Sequence, residues 1–452
     1  MSLKRGWVLD NPKPALFIFV SQKSKARAAI APAGVAKHYA KQLRYPFCLC
    51  LAFEKENGGN GFYNEICLLG HFDTICRPQF NNRKNFIAIL MQGITMSDTL
   101  LENYNYDIPK ELIAQKPSES RENSRLFVIN RQNSSFYHKK FSDIVEFLDK
   151  DSALVINNAK VIPARLFGKK ETGGKVELLF LSPHIEKDGR IYSVLMKPFI
   201  PLGKKIFFED KYECEIVSKK QNGEAEVQFN KGNILDFLTK RGIMPLPPYI
   251  RRKESLAADL KDFDKNRYQT IYAKEIGAIA APTAGLHFTQ EILEKIEKKG
   301  ADIICLTLYV GWGTFKPITK SDISKHIMPS ETFVIDSANA AKLNKCLAEK
   351  RRIFAAGTTS ARALESLAQK SGKNIDGVLQ IEAFEGQTDI FIHPGYNFQI
   401  VKGLLTNFHL PKSTPLMMAS AFSSRELLLK AYKEAIEKKY RFFSYGDAML
   451  IL

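Results

Sequence analysis

The strongest constraint on the fold of this 452-residue chain is a change of pattern in its middle. Five short β-type runs, divided by Gly, Pro, Asp or Asn, lie at residues 176–181, 191–196, 205–208, 213–217 and 225–229. Such spacing is typical of a small barrel-like β unit. On either side of it, apolar strand patterns alternate with helical patterns. We therefore predict an α/β fold in which a main α/β domain, residues 96–168 and 232–452, carries an inserted small β-barrel domain, residues 169–231.

The composition is that of a soluble globular protein, with 45% apolar and 25% charged residues. The apolar run at residues 15–20 is too short to cross a bilayer, so we expect no membrane association. Seven Cys residues, an odd number in a long chain, indicate reduced thiols and a cytoplasmic protein. The net charge of +18 favours a polyanionic partner without distinguishing DNA, RNA and acidic membranes.

Residues 1–95 differ from the rest of the chain. They hold 13 Lys and Arg against 5 Asp and Glu, and their apolar runs at 15–20, 47–53 and 87–91 follow no sustained period. A zinc site is disfavoured because the four Cys residues there lack paired C-x₂₋₄-C spacing; they are Cys48, Cys50, Cys67 and Cys76. We expect an extension outside the conserved machinery, not necessarily part of the native protein, with Met96 as the natural first residue.

A strand–turn–helix corner at residues 280–289 organises the main domain. An apolar run leads into a Pro/Gly turn that carries Thr283, Gly285 and His287, and Thr289 is the expected N-cap of the next helix. Such a corner places free backbone N–H groups beside polar side chains, which suits an anionic ligand. The alternative is an ordinary connection whose His is satisfied by hydrogen bonds.

Two further corners follow predicted strands. One carries Thr358, Thr359, Ser360 and Arg362; the other, at residues 405–414, precedes an apolar helix. The G-x-G of Gly311 and Gly313 follows another strand, at the edge where α/β folds place ligands, and Ser423 is predicted to cap the last long helix. No Walker loop, H-E-x-x-H or G-x-S-x-G motif is present. The corners indicate a cleft enzyme that acts on a phosphorylated or nucleic-acid substrate.

Nine segments from Met96 to the C-terminus carry a family resemblance. They are NNAKVIPARLFG at 157–168, KETGGKVELL at 170–179, PLPPYIRR at 245–252, RYQTIYAK at 267–274, APTAGLHFT at 281–289, TLYVGWGTFKP at 307–317, GTTSARALES at 357–366, TNFHLPKST at 406–414 and YRFFSYGDAML at 440–450. In this order they resemble the S-adenosylmethionine:tRNA ribosyltransferase-isomerase family of queuosine biosynthesis. Residues 1–95 have no counterpart in the resemblance.

The resemblance implies a reaction. Family members transfer the ribosyl moiety of S-adenosylmethionine onto 7-aminomethyl-7-deazaguanine (preQ1) at the wobble position of the tRNA anticodon. The ribosyl group is isomerised, which gives epoxyqueuosine and releases adenine and methionine. S-adenosylmethionine is thus a consumed co-substrate, and we expect no cofactor and no metal. The partners implied are S-adenosylmethionine and preQ1-containing tRNA, and we expect a monomer.

The resemblance also places site residues. A base must remove a proton beside the sulfonium, and adenine benefits from a proton donor as it leaves. Histidine suits both roles; the candidates are His287 and His409, then His326, with His393 less tied to the pattern. Predicted substrate contacts are Thr283, Gly285, Gly311, Gly313, Thr358, Thr359, Ser360, Arg362 and Asp447, with Arg362 as a partner for the methionine carboxylate.

The predicted tRNA contacts are basic or aromatic. Arg251, Arg252, Arg267 and Lys412 are candidates for phosphates, and Tyr268 or Phe408 for base stacking. Two other functions remain open. A non-catalytic RNA-binding relative has no evident need for three polar corners, and a methyltransferase using the same co-substrate is disfavoured because no G-x-G-x-x-G follows an early strand.

Overall fold

The computed structural model describes residues 96–452, apart from 182–189, 221–222, 253–259 and 316, and four strands within the first 95 residues. Those four strands belong to a unit of their own, residues 1–93. They are β1 (Leu16–Gln22), β2 (Lys25–Ile30), β3 (Leu49–Phe53) and β4 (Cys67–Leu69), in the order β2-β1-β3-β4. Two of the apolar runs seen in the sequence therefore form β1 and β3. Cys48, Cys76 and the run at 87–91 lie outside the described residues.

The second unit, residues 94–452, contains the other strands. They are β5 (Arg125–Asn130), β6 (Ser135–Lys140), β7 (Ser152–Asn157), β8 (Ala159–Val161), β9 (Arg165–Lys170), β10 (Lys175–Phe180), β11 (Ile191–Lys197), β12 (Lys205–Phe207), β13 (Glu213–Lys219), β14 (Glu224–Phe229), β15 (Glu275–Ala278), β16 (Asp302–Leu308), β17 (Glu331–Ile335), β18 (Arg352–Ala356), β19 (Gly372–Ile375), β20 (Val378–Ile381), β21 (Phe384–Thr388), β22 (Val401–Asn407) and β23 (Ala448–Ile451).

Its helices are α1 (Ile234–Arg241), α2 (Lys261–Arg267), α3 (Gln290–Lys298), α4 (Ser337–Ala348), α5 (Thr358–Lys370), α6 (Thr414–Ser423) and α7 (Arg425–Glu437). Short 3-10 helices connect several of these elements. As predicted, the Thr289 hydroxyl caps α3, accepting from the N–H of Ile292 at 3.3 Å. The cap of α7 is Ser424 and not the predicted Ser423, which lies at the end of α6.

A nine-stranded sheet forms the centre of the unit, in the order β21-β17-β16-β7-β18-β22-β23-β5-β6. The four adjacent strands β16, β7, β18 and β22 are parallel. Both faces of β7 are buried, as its continuous apolar run requires in a covered parallel sheet. Val155 packs in a cluster with Leu364 of α5, whereas its neighbour Leu154 packs in another cluster with Ile292 of α3. Helices therefore cover the sheet on both sides.

The inserted barrel is closed by six strands in the order β10-β11-β14-β13-β12-β9. Alternate residues of each strand point inward and fill the interior, among them Leu166, Val176 and Val227. The fold class is thus confirmed, with one strand more than the five runs in the sequence indicated. The additional strand, β9, spans the predicted boundary at 168/169; the domain boundaries themselves stay predictions.

Among the described residues, no helix is both long enough and apolar enough to cross a membrane. Residues 96–452 contain three cysteines, and all three are free thiols: Cys214, Cys305 and Cys346.

Candidate active site

A cleft lies at the carboxyl edge of the parallel strands, where α/β folds bind their ligands. It is open to solvent, and the empty space inside it and its mouth is about 690 Å³. Its walls come from the segments after β15, β18 and β22, so the three corners singled out in the sequence meet here. They are formed by residues 280–284, 357–359 and 406–410, with Tyr249, Tyr268, Val310, Ser413, Pro415, Phe443 and Ser444.

The N-terminus of α5 faces this cleft. Gly357 precedes the helix with a φ of 96°, a value that a residue without a Cβ adopts readily. Thr358 and Thr359 line the cleft, and Asn157 at the end of β7 donates to the Thr359 hydroxyl at 3.4 Å. Ser360 is fully buried and its hydroxyl donates to the Ala356 carbonyl at 2.8 Å, which makes it part of the helix interior.

His409 lies on the cleft wall, immediately beyond β22. Its backbone is held by two tyrosines: the Tyr432 hydroxyl accepts from its N–H at 2.8 Å, and the Tyr106 hydroxyl donates to its carbonyl. The ring Nε2 lies 2.8 Å from the Thr406 hydroxyl, and Nδ1 has no hydrogen-bond partner within the described structure. Desolvation in this densely packed wall lowers the pKa of His409 to about 3. The ring is therefore neutral at physiological pH.

His287 lies behind the cleft wall and not on it. The ring is 5% exposed and packs against Phe141 with centroids 5.0 Å apart. Both nitrogens are bonded: Asn407 donates from Nδ2 to Nε2 at 3.1 Å, so Nδ1 carries the proton toward the Ser124 hydroxyl at 2.7 Å. Burial, followed by the nearby Arg121 and Arg441 charges, lowers the pKa of His287 to about 3. His287 thus matches the alternative given for this corner, a histidine whose nitrogens are both satisfied by hydrogen bonds. This geometry favours a positioning role for His287.

Asn407 connects His287 to the cleft, and we did not single it out from the sequence. Its Oδ1 accepts from the Thr283 hydroxyl at 2.8 Å. Both residues line the cleft, whereas His287 does not. The available sequence signal was the position of Asn407 at the end of a strand, where side chains of a parallel sheet reach the ligand edge.

Arg362 lines a second cavity that adjoins the cleft, since Thr358, Thr359 and Pro415 border both. Its Nη1 forms an ion pair with Glu331 Oε2, while Nε and Nη2 are buried without a hydrogen-bond partner. The other Glu331 oxygen accepts from the backbone N–H of Gly311 at 2.8 Å. The guanidinium is thus held in one orientation with two donor positions available.

The remaining walls of the second cavity are largely apolar and include Met328, Ile390, Ile392 and Met418. His326 packs edge-on against Phe391 of this cavity, with centroids 4.9 Å apart, and His393 lies on the same ring at 5.2 Å. Burial lowers the pKa of both histidines. Neither lines either cavity, so the structure brings His409 and not His326 to the cleft.

The predicted glycines contribute through packing. A Cβ on Gly285 would lie 2.1 Å from the Tyr272 hydroxyl oxygen, and one on Gly313 would lie 2.5 Å from Pro329 Cγ. Gly311 instead donates its N–H to Glu331. None of these glycines borders the cleft or the second cavity.

Asp447 is buried away from the cleft and its carboxylate is fully engaged. It accepts from the backbone N–H groups of Arg125 and Arg441 at 3.0 and 2.8 Å and pairs with the Arg125 guanidinium at 3.1 Å. These bonds anchor the C-terminal segment that supplies Phe443 and Ser444 to the cleft. Among the described residues, no group of three His, Cys, Asp or Glu side chains is placed to hold a metal ion.

Of the basic residues predicted to contact tRNA, Arg251 is exposed. Arg252 forms two hydrogen bonds to the carboxylate of Asp264, at 2.7 and 2.8 Å, and Arg267 donates to the carbonyl of Glu119 at 2.8 Å. Lys412 pairs with Glu102 at 2.7 Å. The last three cations therefore have partners within the chain.

The two predicted stacking residues are fully buried. Tyr268 packs edge-on against Tyr445, and Phe408 against Phe127 and Tyr432. Both border the cleft. Since both residues are 0% exposed, neither ring offers a free face for stacking on a base outside the cleft.

The sequence of this chain is similar to that of known proteins. A family model described as queuosine biosynthesis protein matches residues 101–451. The chain belongs to this family. The resemblance seen in the sequence is thereby confirmed, and residues 1–95 lie outside the matched range.

Members of the queuosine biosynthesis family with substantial identity to this chain include proteins from Staphylococcus haemolyticus and Natranaerobius thermophilus. They are 45% and 46% identical to it, over 78% of this chain and 99% of their own length, and both are named S-adenosylmethionine:tRNA ribosyltransferase-isomerase. A solved structure of S-adenosylmethionine tRNA ribosyltransferase from Thermotoga maritima is 30% identical, over 77% of this chain and 100% of that one, with a TM-score of 0.43.

Proposed function

We propose that this protein transfers and isomerises the ribosyl moiety of S-adenosylmethionine onto preQ1 at the tRNA wobble position, giving epoxyqueuosine, adenine and methionine. The observation that carries the proposal is the meeting of three polar corners at one cleft, in a chain whose relatives are named as ribosyltransferase-isomerases. The net charge of +18 fits a polyanionic substrate. The partners are S-adenosylmethionine and preQ1-containing tRNA; a monomeric state, a cytoplasmic location and independence of a cofactor are part of the proposal.

His409 is the base that the cleft supports best. The carbon beside a sulfonium is acidified by the adjacent positive charge, and a neutral imidazole is able to take its proton. The two tyrosine bonds to the backbone of His409 and the Thr406 bond to Nε2 fix the ring. Nδ1 is then the nitrogen available to the substrate.

Arg362 is suited to the methionine carboxylate. It lines a cavity with otherwise largely apolar walls, and two of its guanidinium nitrogens lack a hydrogen-bond partner among the described residues. This combination matches an amino acid with a thioether side chain and a carboxylate. Because this cavity adjoins the cleft, one S-adenosylmethionine molecule is able to place its amino-acid part here and its ribosyl part beside His409. Thr358 and Thr359, at the α5 N-terminus between the two spaces, are then positioned for ribose hydroxyls.

The test incubates the protein with S-adenosylmethionine and preQ1-containing tRNA, follows free adenine by chromatography and measures the nucleoside mass after digestion. We expect adenine together with a nucleoside heavier by the rearranged ribosyl group. S-adenosylhomocysteine without adenine would identify a methyltransferase instead. Bound tRNA with no turnover would identify a non-catalytic RNA-binding relative.

A further inference from the structure

The Tyr and Phe rings of the cleft wall differ in their exposure. Among the described residues, four such rings border the cleft: Tyr249, Tyr268, Phe408 and Phe443. Tyr268 and Phe408 are fully buried and Phe443 is 3% exposed, whereas Tyr249 is only half-buried. A base stacks on an aromatic side chain only where the ring is accessible. Tyr249, which we did not single out from the sequence, is therefore the ring of this wall that is suited to hold a base.

Several contacts hold Tyr249 in place. Its hydroxyl is hydrogen-bonded to the Ser444 hydroxyl at 2.6 Å, and its ring packs on Phe443 with centroids 4.9 Å apart. Its carbonyl accepts from Gln115 Nε2 at 2.9 Å. The two prolines at 247–248 restrict the backbone that leads into it. A residue fixed in this way loses little conformational entropy when a ligand stacks on it.

The same segment carries a cation at the protein surface. Arg251 is exposed, and its backbone N–H donates to Gln115 Oε1 at 2.8 Å. Because two residues span at most about 7 Å, the Arg251 side chain begins within that distance of the Tyr249 backbone. The adjacent Arg252 instead binds the carboxylate of Asp264, at 2.7 and 2.8 Å. The segment thus offers one accessible ring in the cleft wall and one exposed guanidinium close to it.

Charge distinguishes the two bases that the proposed reaction brings together. S-adenosylmethionine has a sulfonium cation and no phosphate, and its one carboxylate is already assigned to Arg362. A nucleotide within RNA has a phosphate on each side, and arginine pairs readily with phosphate. Burial raises the pKa of Tyr249 to about 12, so its hydroxyl is neutral at physiological pH and does not repel a phosphate. The ring and the nearby cation together favour the base of an RNA nucleotide over adenine.

We propose that Tyr249 is the stacking platform for the preQ1 base, turned out of the anticodon loop into the cleft, and that Arg251 binds a phosphate flanking that nucleotide. Enzymes that modify a base take it out of its stack, and the bases of single-stranded loops are readily splayed out. The inference rests on the proposed function for the identity of the RNA. It assigns to the second substrate a part of the wall that the placement of S-adenosylmethionine beside His409 and Arg362 leaves unused.

The experiment is a double-mutant cycle between the ring and the base. Fluorescence anisotropy measures the binding of two tRNAs to the full-length protein, one with preQ1 at the wobble position and the other abasic there. We expect removal of the base to weaken binding to wild type about tenfold or more, as loss of a stacked base does. Y249L should bind both tRNAs equally, within about twofold, at the affinity of wild type for the abasic tRNA. Y249F keeps the ring and should retain the difference.

R251Q tests the cation separately from the ring. We expect it to weaken the binding of both tRNAs to the same degree and to lower the slope of log Kd against log salt by about 1, because a phosphate contact releases counterions. The matched control is R241Q, an exposed arginine that pairs with Asp210 at 3.0 Å, which we expect to leave affinity and slope unchanged. A wild-type slope in R251Q would overturn the phosphate contact.

The remaining outcomes separate this inference from the proposed function. Equal binding of both tRNAs by wild type, or a difference that persists in Y249L, would overturn the stacking platform while leaving the adenine-release assay intact. A raised KM for S-adenosylmethionine in Y249L, with the difference between the tRNAs unchanged, would assign the ring to adenine and also overturn it. Conversely, a difference that Y249L abolishes in a protein that releases no adenine would retain the platform and reject the catalytic proposal.

Discussion

The His287 ring is joined to the wall of the cleft by one hydrogen bond, which Asn407 donates from Nδ2 to Nε2 at 3.1 Å. The other end of the Asn407 amide accepts from Thr283 at 2.8 Å. His287 therefore fixes the orientation of the Asn407 amide, which lines the cleft together with Thr283. The His287 ring must be neutral for its Nε2 to accept this hydrogen bond. In this geometry His287, the histidine of the corner at residues 280–289, acts on the cleft through Asn407.

The neutral state of His287 predicts a loss of stability in acid. Because its folded-state pKa of about 3 lies below the ordinary value of 6.5, the unfolded chain binds more protons between these values, and the contribution to stability is lost as pH falls from 6.5 toward 3. We expect the unfolding free energy of wild type to fall more steeply than that of H287N below pH 6, by up to about 1.4 kcal/mol per pH unit. Urea unfolding at several pH values measures the difference; parallel curves would contradict it.

Replacement of His409 is expected to reduce the chemical step. H409N should lower kcat by about 10²- to 10⁴-fold, the usual contribution of a general base, with little change in the KM for S-adenosylmethionine. H287N, which retains hydrogen-bonding groups behind the wall, should lower kcat by less than about tenfold. Single-turnover adenine release measures both. A kcat of H409N near that of wild type would remove His409 from the catalytic role.

The pH profile offers an independent check on His409. Since desolvation lowers its pKa to about 3, the ring stays neutral as pH falls from 8 to 5. We therefore expect kcat/KM of the wild-type protein not to fall near pH 6.5 through protonation of His409, so wild type and H409N should have pH profiles of the same shape in this range. A fall in wild-type kcat/KM with an apparent pKa near 6.5 would show that the base is a solvated histidine. The base would then not be the desolvated His409.

Two substitutions of Arg362 distinguish its ion pair with Glu331 from its proposed contact with the methionine carboxylate. R362K keeps a cation for Glu331 but loses the guanidinium N–H groups that lack partners, so we expect near wild-type stability and a KM for S-adenosylmethionine raised roughly tenfold or more. R362M removes the Arg362 cation from the buried Glu331 carboxylate and is expected to lower stability, by up to about 3–5 kcal/mol. Calorimetric binding and thermal unfolding separate the two effects. Unchanged affinity in R362K would place the carboxylate elsewhere.

The sequence predicted the layered fold and the meeting of the corners because both depend on local pattern and on the geometry of parallel strands. It missed β9, since Arg165 and the residues after it resemble a loop until the barrel closes around them. It placed the cap of α7 one residue early, because Ser423 and Ser424 are equivalent in pattern and only the backbone turn distinguishes them. Which polar side chains face the cleft could not be predicted, because Ser360 and Thr359 are adjacent in sequence and point to different surroundings.

The same limit applies to Gly285, which the family resemblance placed among the substrate contacts and the structure places against Tyr272. A methyl group at the buried Gly285 would lie 2.1 Å from the Tyr272 hydroxyl oxygen and 2.9 Å from Thr270 Cγ2, so a neighbouring side chain must shift to admit it. We expect G285A to cost about 1–3 kcal/mol of stability, as overpacking does. G311A is the matched control: its Cβ would lie at an ordinary 3.7 Å from Glu331 Oε1 and its N–H still donates to that oxygen, so stability should change little. If G285A instead unfolds like wild type and raises only the KM for S-adenosylmethionine, the glycine provides room for the substrate and not for the tyrosine.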